Sequence, residues 1–294
     1  MGELWSMARY SHAKNPRIRH VLVCLRRGKP GAVGVGMVLK SIFRQAGVSA
    51  RWVSEGGLAR AKRGRIDAVV VGGGDGTMLH AAQSTMGWGI PLLGINLGSL
   101  GFLTSIKAGE VGMVLPEILS GRYGLSTRSV LSVKLSGGNK SWSALNEVSV
   151  GPQAGQLMVR VRVKVGEEVL TEYHADGLLV ASPTGSTAYS LSAGGPLLSP
   201  KARAMVLTPV CAHAMAQRPV VVGEQEGVEL SLSEGEPSAV VRLDGKKIGN
   251  LSRGGSLRVE LGRPVVRLMH PAGFGFYGLT RQKLGWSGAA GVSR

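Results

Sequence analysis

Residues 69–77, Val69-Val70-Val71-Gly72-Gly73-Gly74-Asp75-Gly76-Thr77, run from an apolar strand into a glycine turn that carries a single carboxylate. Glycines around Asp75 let the backbone take up positive φ and approach a ligand, so that successive N–H groups form a concave anion nest. A helix beginning at Thr77 would turn its free N–H groups and the positive end of its dipole toward the same ligand. A carboxylate inside such a nest repels phosphate unless it binds a metal or takes a proton from a hydroxyl. The pairing therefore points to phosphoryl transfer. The competing structural reading is a tight strand-to-helix turn whose Asp caps the helix.

Three further segments could serve the same chemistry. Gly94-Ile95-Asn96-Leu97-Gly98-Ser99-Leu100-Gly101-Phe102-Leu103 forms a second glycine loop, expected to face the first across a crevice. Residues 176–190, from Asp176 through Thr184, Thr187 and Ala188 to Tyr189 and Ser190, combine an apolar strand, an acid at its entry and a turn dense in hydroxyls. Such hydroxyls and amides suit a sugar or a base edge, and Tyr189 suits stacking on a ring. As structure alone, the same turn could stabilise itself through Ser and Thr side-chain bonds. Asn146-Glu147 pairs an amide fit for a ring nitrogen and an amine with a carboxylate fit for a ribose or an amino group. No Walker A sequence occurs, because Gly245-Lys246 lacks the upstream glycine and the following Ser or Thr, and the GxGxxG fingerprint is missing near the first strand.

Two kinds of element must position these residues. Apolar strands at residues 21–25, 66–71 and 90–95 alternate with helices at 33–46 and 77–86, which predicts a parallel sheet with ligands at the carboxyl ends of its strands. Arg26, Arg27 and Lys29 follow one such end, placed either to reach a ligand's phosphates or to lie in a solvated loop. His80 lies one turn into the second helix, as a phosphate contact or as an exposed helix residue. Beyond residue 125 the period becomes two, clearest in Val159-Arg160-Val161-Arg162-Val163-Lys164-Val165, so one face is buried and the other wet. Shorter alternations at 131–135, 228–232, 240–243 and 257–261 predict an all-β second domain, with a hinge between Gly109 and Gly124.

Composition limits the function classes. The chain has 294 residues, enough for two domains, and 44% hydrophobic residues, normal for a soluble protein. No apolar run is long enough for a bilayer and no signal-like core follows the N-terminus, so the expected place is the cytoplasm. Two cysteines, Cys24 and Cys211, exclude a disulfide framework or a Cys-based zinc site. The net charge of +17 favours polyanionic partners, and residues 1–30 hold seven Lys or Arg against the single acid Glu3. Aromatics of only 5% and the absence of an RNA-binding or zinc-finger signature argue against a specific nucleic-acid partner. The Met1-Gly2-Glu3-Leu4-Trp5-Ser6 myristoylation pattern and the sequons at Asn139 and Asn250 are matches of a kind that chance supplies.

Taken in order, the motifs resemble the NAD kinase family. The resemblance rests on Gly73-Gly74-Asp75-Gly76-Thr77, the loop from Asn96 to Phe102, Asn146-Glu147, Asp176 to Pro196, Leu207-Thr208-Pro209 with His213 and Arg218-Pro219, Asp244-Gly245, and the tail from His270-Pro271 through Lys283-Leu284 to Trp286. It covers residues 20–286, and the long match from Asp176 is more discriminating than the loop at Asp75, close variants of which occur in diacylglycerol kinases, sphingosine kinases and phosphofructokinases.

The resemblance implies an α/β nucleotide-binding domain (residues 1–120), a β-rich NAD-binding domain (121–270) and a C-terminal segment (271–294) packing back on the first domain. It implies transfer of the ATP γ-phosphoryl group to the 2′-hydroxyl of the adenosine ribose of NAD, giving NADP, with a divalent metal such as Mg²⁺. A homo-oligomer, dimer or tetramer, and no membrane partner are expected. Asp75 becomes the proton acceptor. Gly73, Gly74, Gly76, Thr77 and His80 are expected on the dinucleotide and phosphates, Asn146 and Glu147 on the adenosine, and Asp176, Thr184, Thr187, Ala188, Tyr189, Ser190, Leu191 and Ser192 around the rings and riboses.

Where the family commonly has Arg or Gly, this chain has His174. In one strand residues i and i+2 share a face, so His174 is expected to point to the ligand with Asp176. Lys246 and Ala212 also depart from the pattern, and His213 and His270 read as core residues. The sequence does not choose between ATP and polyphosphate as donor, nor between NAD and NADH as acceptor. The rival readings are a lipid kinase sharing the Asp75 loop and a nucleotide-binding regulator without turnover.

Overall fold

The change of period from 3.6 to 2 produces two units, one of residues through Thr127 together with those from Val266 onward, the other Arg128–Val265. The structure, a computed structural model, describes residues 15–286 apart from Arg63 and Asn139. The Met1–Ser6 pattern and the sequon at Asn139 lie outside the described residues. Among the described residues no helix is long and apolar enough to cross a membrane.

The first unit is a parallel sheet flanked by helices. In chain order it contains β1 His20–Leu25, α1 Ala32–Gln45, β2 Ser49–Val53, α2 Glu55–Leu58, β3 Ala68–Gly73, α3 Asp75–Ser84, β4 Leu92–Asn96, β5 Ile106–Lys107 and α4 Val111–Leu119. β1 lies between β2 and β3, β4 follows β3, and Leu268 and Met269 pair in parallel with Leu92 and Leu93 at the far side of β4. Val69, Val70 and Val71 are at most 1% exposed, as a strand covered on both faces requires. Each such side chain contributes about 1.5–3 kcal/mol through burial. Edge strand β2 was not expected, because Ser49-Ala50-Arg51-Trp52-Val53 is half wet and shows no apolar run. The second helix begins at Asp75, two residues before the expected Thr77, and ends at Ser84.

The second unit contains two antiparallel sheets. Its elements are β6 Tyr123–Leu135 from Arg128 onward, β7 Ser141–Ala144, β8 Glu147–Gly151, β9 Val159–Val165, β10 Glu168–Ala175, β11 Gly177–Ala181, the one-turn α5 Tyr189–Ser192, β12 Ala204–Val210, β13 Val220–Gly223, β14 Val228–Leu232, β15 Ser238–Leu243, β16 Lys246–Ser252 and β17 Ser256–Pro271 as far as Val265. One sheet has the order β13-β12-β11-β8-β15-β16, and the other includes β10-β9-β14-β17. Val159, Val161 and Val163 are buried while Arg160, Arg162 and Lys164 are exposed, as the alternation predicts. The core joins these valines to Val148, Val150, Leu178 and Val180 of the six-stranded sheet. The helix α6 Phe276–Leu284 belongs to the first unit.

Candidate active site

In the first unit the chain passes from β1 outward to β2 and then returns to the other side of β1 for β3. The loops that leave the carboxyl ends of β1 and β3 therefore diverge, and the gap between them is where open parallel sheets bind ligands. A crevice is lined there by Lys29 after β1, Gly73 at the end of β3 with Gly74 and Asp75 beyond it, Gly98, Ser99 and Gly101 after β4, and Lys283 of α6. The two glycine loops do face each other, as expected.

The Asp75 carboxylate crosses this crevice and accepts two backbone hydrogen bonds, Phe102 N–H to Oδ2 at 2.7 Å and Leu103 N–H to Oδ1 at 3.0 Å. Each oxygen retains a further lone pair for a ligand. The receiving loop is held by Asn96, a buried residue whose Nδ2 donates to Ser99 O (2.7 Å) and Thr104 Oγ1 (3.0 Å) while its Oδ1 accepts from Gly98 N–H (2.6 Å). At Gly101 a Cβ would lie 1.8 Å from Asp75 Oδ1, so any side chain there would have to displace the carboxylate.

Several expectations about this loop need correction. None of Gly72, Gly73, Gly74 and Gly76 has positive φ. Their lack of a side chain matters instead: a Cβ on Gly72 would meet Leu25 at 2.4 Å and one on Gly73 would meet Thr77 at 2.4 Å. Gly74 and Gly76 open onto free space, leaving backbone for a ligand to approach. Asp75 is not the helix cap, since Gly74 holds that position without a side-chain bond and Asp75 is the first helical residue. Thr77 does not face the crevice. It is 3% exposed, packs on Gly73, and its amide donates to Gly74 O at 3.0 Å. Gly76 and His80 are i and i+4 on α3, and neither is among the crevice-lining residues.

Of the predicted residues of the second unit, Asn146 and Glu147 lie at Asp244. Its carboxylate accepts from the amides of Leu145 (2.9 Å), Asn146 (2.8 Å) and Glu147 (3.1 Å). Asp244 has φ 47° and Gly245 φ 79°, a left-handed pair that makes the tight turn between β15 and β16. Ser182 N–H donates to Asn146 O at 2.8 Å, and a Cβ on Gly185 would lie 2.0 Å from that oxygen. Asn146 is half-buried at this junction, and Glu147 beside it is 8% exposed. Burial, and then the Asp244 charge, push the Glu147 carboxyl up to about 7. Its Oε2 has no hydrogen-bond partner among the described residues.

The hydroxyl-rich turn mixes internal and outward groups. Thr184 is buried, and Thr187 Oγ1 donates to Thr184 O at 2.9 Å. Ser190 is fully buried with Oγ 2.8 Å from Thr208 Oγ1, so its hydroxyl braces the turn instead of opening to a ligand. Tyr189 is 49% exposed and Ser192 exposed, while Ala188 and Leu191 are half-buried.

His174 and Asp176 do not share a strand face. β10 ends at Ala175 in one sheet and β11 begins at Gly177 in the other, so Asp176 occupies the corner between sheets. Asp176 is exposed, and its amide donates to Val210 O at 3.0 Å. His174 instead neighbours His213, with ring centroids 5.4 Å apart and His213 N–H bonded to His174 O at 2.8 Å. His213 is exposed, not a core residue; His270 is half-buried, with its ring 5.5 Å from Phe274.

Sequence reasoning gave Asp244 only as part of a motif and missed Lys283 as a crevice residue. The Asp244-Gly245 dipeptide signals a hairpin, but no spacing signals which amides its carboxylate will hold. Among the described residues no three His, Cys, Asp or Glu gather to hold a metal.

Comparison with known proteins follows the same division. Residues 39–123 match the ATP-NAD kinase N-terminal domain and residues 145–270 the ATP-NAD kinase C-terminal domain. The chain is 35% identical over 277 residues to the NAD kinase of Wolinella succinogenes, covering 91% of this chain and 95% of that one. It is 40% identical over 223 residues to the NAD kinase of Heliobacterium modesticaldum, covering 75% and 79%. Two solved structures share the fold: yeast NADH kinase complexed with NADH (TM-score 0.79, 21% identity, 95% of this chain and 90% of that one) and an NAD kinase from Archaeoglobus fulgidus in complex with ATP (TM-score 0.71, 23% identity, 90% and 97%).

Proposed function

The chain belongs to the NAD kinase family and is a phosphotransferase, and on that premise we propose that Asp75 deprotonates the 2′-hydroxyl of the adenosine ribose of NAD as the γ-phosphoryl group of ATP is transferred to it. The carrying observation is the Asp75 carboxylate, fixed by two amide hydrogen bonds at the switch-point crevice. A ribose hydroxyl is a poor nucleophile, and a positioned carboxylate contributes about a hundredfold to ten-thousandfold as general base. Fixing both oxygens holds the acceptor in one orientation, which serves the in-line geometry of phosphoryl transfer. The open backbone at Gly74 and Gly76 gives phosphates a close approach. The extended match over residues 145–270 favours this reading over a lipid kinase that shares only the loop.

The dinucleotide residues proposed in the second unit are Asn146, Glu147, His174, Asp176, Thr184, Thr187, Ala188, Tyr189, Leu191 and Ser192, with Ser190 acting through its backbone alone. The exposed Tyr189 ring supports stacking on a base. In the first unit Gly73 and Gly74, which line the crevice, are the phosphate contacts, exposed Gly76 just beyond that lining is assigned to the dinucleotide, and burial of Thr77 leaves it a packing role. A magnesium ion suits the crevice: a single carboxylate, Asp75, and substrate phosphates are the donors this ion prefers while it keeps several waters. When bound it would neutralise charge on the phosphates. A homo-oligomer, drawn from the family resemblance, and a cytoplasmic location, drawn from the sequence, complete the proposal.

The decisive experiment incubates purified protein with NAD, ATP and Mg²⁺ and measures NADP, with Asp75→Asn as control. NADP formation by the wild type that the variant largely loses supports the reading. A variant that phosphorylates at the wild-type rate removes the general-base role.

A further inference from the structure

We infer that Lys283, on the C-terminal helix, is a ligand for the phosphate chain of the phosphoryl donor and acts together with Lys29 from the opposite loop. This rests on the kinase reading above and names a further residue of the same site. Both lysines line the crevice that contains Asp75, and neither forms an ion pair among the described residues. The crevice needs such groups. Asp75 places a negative charge where a polyanion must approach, and the glycine loops supply only dipoles to oppose it. Two ammonium groups outweigh the single carboxylate and reverse the sign of the local field.

The ordinary account of Lys283 is a solvated lysine in the last turn of a helix, favourable there with the macrodipole. That account leaves its position unexplained. Lys283 Nζ lies 4.9 Å from the centre of the Phe102 ring, and Phe102 in turn lies 6.3 Å from Phe276. Phe276 and Lys283 are i and i+7 of α6 and so share one face, which is applied to Phe102. Phe102 is also the residue whose amide holds Asp75 Oδ2 at 2.7 Å. One aromatic residue thus seats the cation and orients the base. The cation–π contact limits the rotamers of a long side chain, lowering the entropy lost when it takes a phosphate oxygen.

Lys283→Met keeps the apolar stem on Phe102 and removes the charge. Losing one charged hydrogen bond to phosphate is expected to lower kcat/KM for ATP by about tenfold to a hundredfold. KM for NAD should stay within about twofold, because the lysine is assigned to the donor alone. Lys29→Met should act in the same direction, and Lys283→Arg should recover most of the loss. A merely structural lysine predicts equal losses toward both substrates, or none, and no rescue by Arg; either pattern overturns the inference. Binding of inorganic tripolyphosphate, measured calorimetrically, separates this test from the kinase reading. If the wild type makes no NADP that reading fails, yet tripolyphosphate affinity lost in both Met variants still supports the lysine pair, and affinity unchanged overturns it.

Discussion

Two carboxylates in this chain do the same local thing in different settings. Asp75 accepts the amides of Phe102 and Leu103, and Asp244 accepts those of Leu145, Asn146 and Glu147. Both are half-buried and both clasp backbone from a distant part of their own unit. Around Asp75 the neighbours are glycines without side chains and two lysines, so the carboxylate borders open space. Around Asp244 the neighbours are buried strand ends and a second acid, Glu147. A carboxylate that clasps amides is therefore a structural device wherever it occurs. Chemistry is added where the surrounding loops leave room for a substrate and charge to hold it.

The comparison breaks most sharply at Asp75. Asp75→Asn should lower kcat by about a hundredfold to ten-thousandfold in NADP formation, with NAD affinity preserved. Were turnover to survive, Asp75 would be a second Asp244 and nothing more. Asp244→Ala should do the reverse, costing about 3 kcal/mol of unfolding free energy in urea by stranding three amides.

Glu147 sharpens the contrast through pH. Its folded pKa, about 7, is raised above the unfolded 4.5 by burial and then by Asp244, so the folded state holds its proton more tightly. Its contribution is least unfavourable below the unfolded pKa, and stability falls as pH rises through the window to the folded value. Glu147→Gln should flatten this slope and raise stability at pH 8 by on the order of 3 kcal/mol, read from urea midpoints across the pH range. A slope unchanged in the variant would remove Glu147 as its source. The smallest effect expected is at Gly101→Ala, whose Cβ must displace Asp75: about 1–3 kcal/mol in thermal unfolding, with turnover reduced because the carboxylate is re-aimed.

Much of the first unit was legible because a buried parallel strand reads as an apolar run and its helix as a 3.6-residue stripe. β2 was not, since an edge strand half in water needs no such run. In the second unit the Val159–Val165 alternation identified a half-buried strand directly. The error at His174 and Asp176 had a physical source: the rule that i and i+2 share a face assumes a continuous strand, and the chain changes sheets at Asp176. The error at Thr77 came from placing the helix start two residues late, which turned a buried packing residue toward the crevice. That the Ser190 hydroxyl is taken up by Thr208, leaving its backbone to a ligand, was not legible, because a hydroxyl's sequence position does not reveal whether another hydroxyl will bind it.

What the sequence determined by itself was local: element types, the two periods, a carboxylate among glycines, and motifs sufficient for the family. These follow from side-chain pattern and the absence of Cβ, which are properties of neighbouring residues. Tertiary structure alone decided which glycines serve packing and which face a ligand, and that Asp75 is held by amides 27 and 28 residues onward. It also decided that Asp244 holds an amide 98 residues away, and that Lys283 meets Lys29 at one crevice. Hydrogen bonds and charges act through space over a few ångströms, and only the folded chain sets which distant residues come that close.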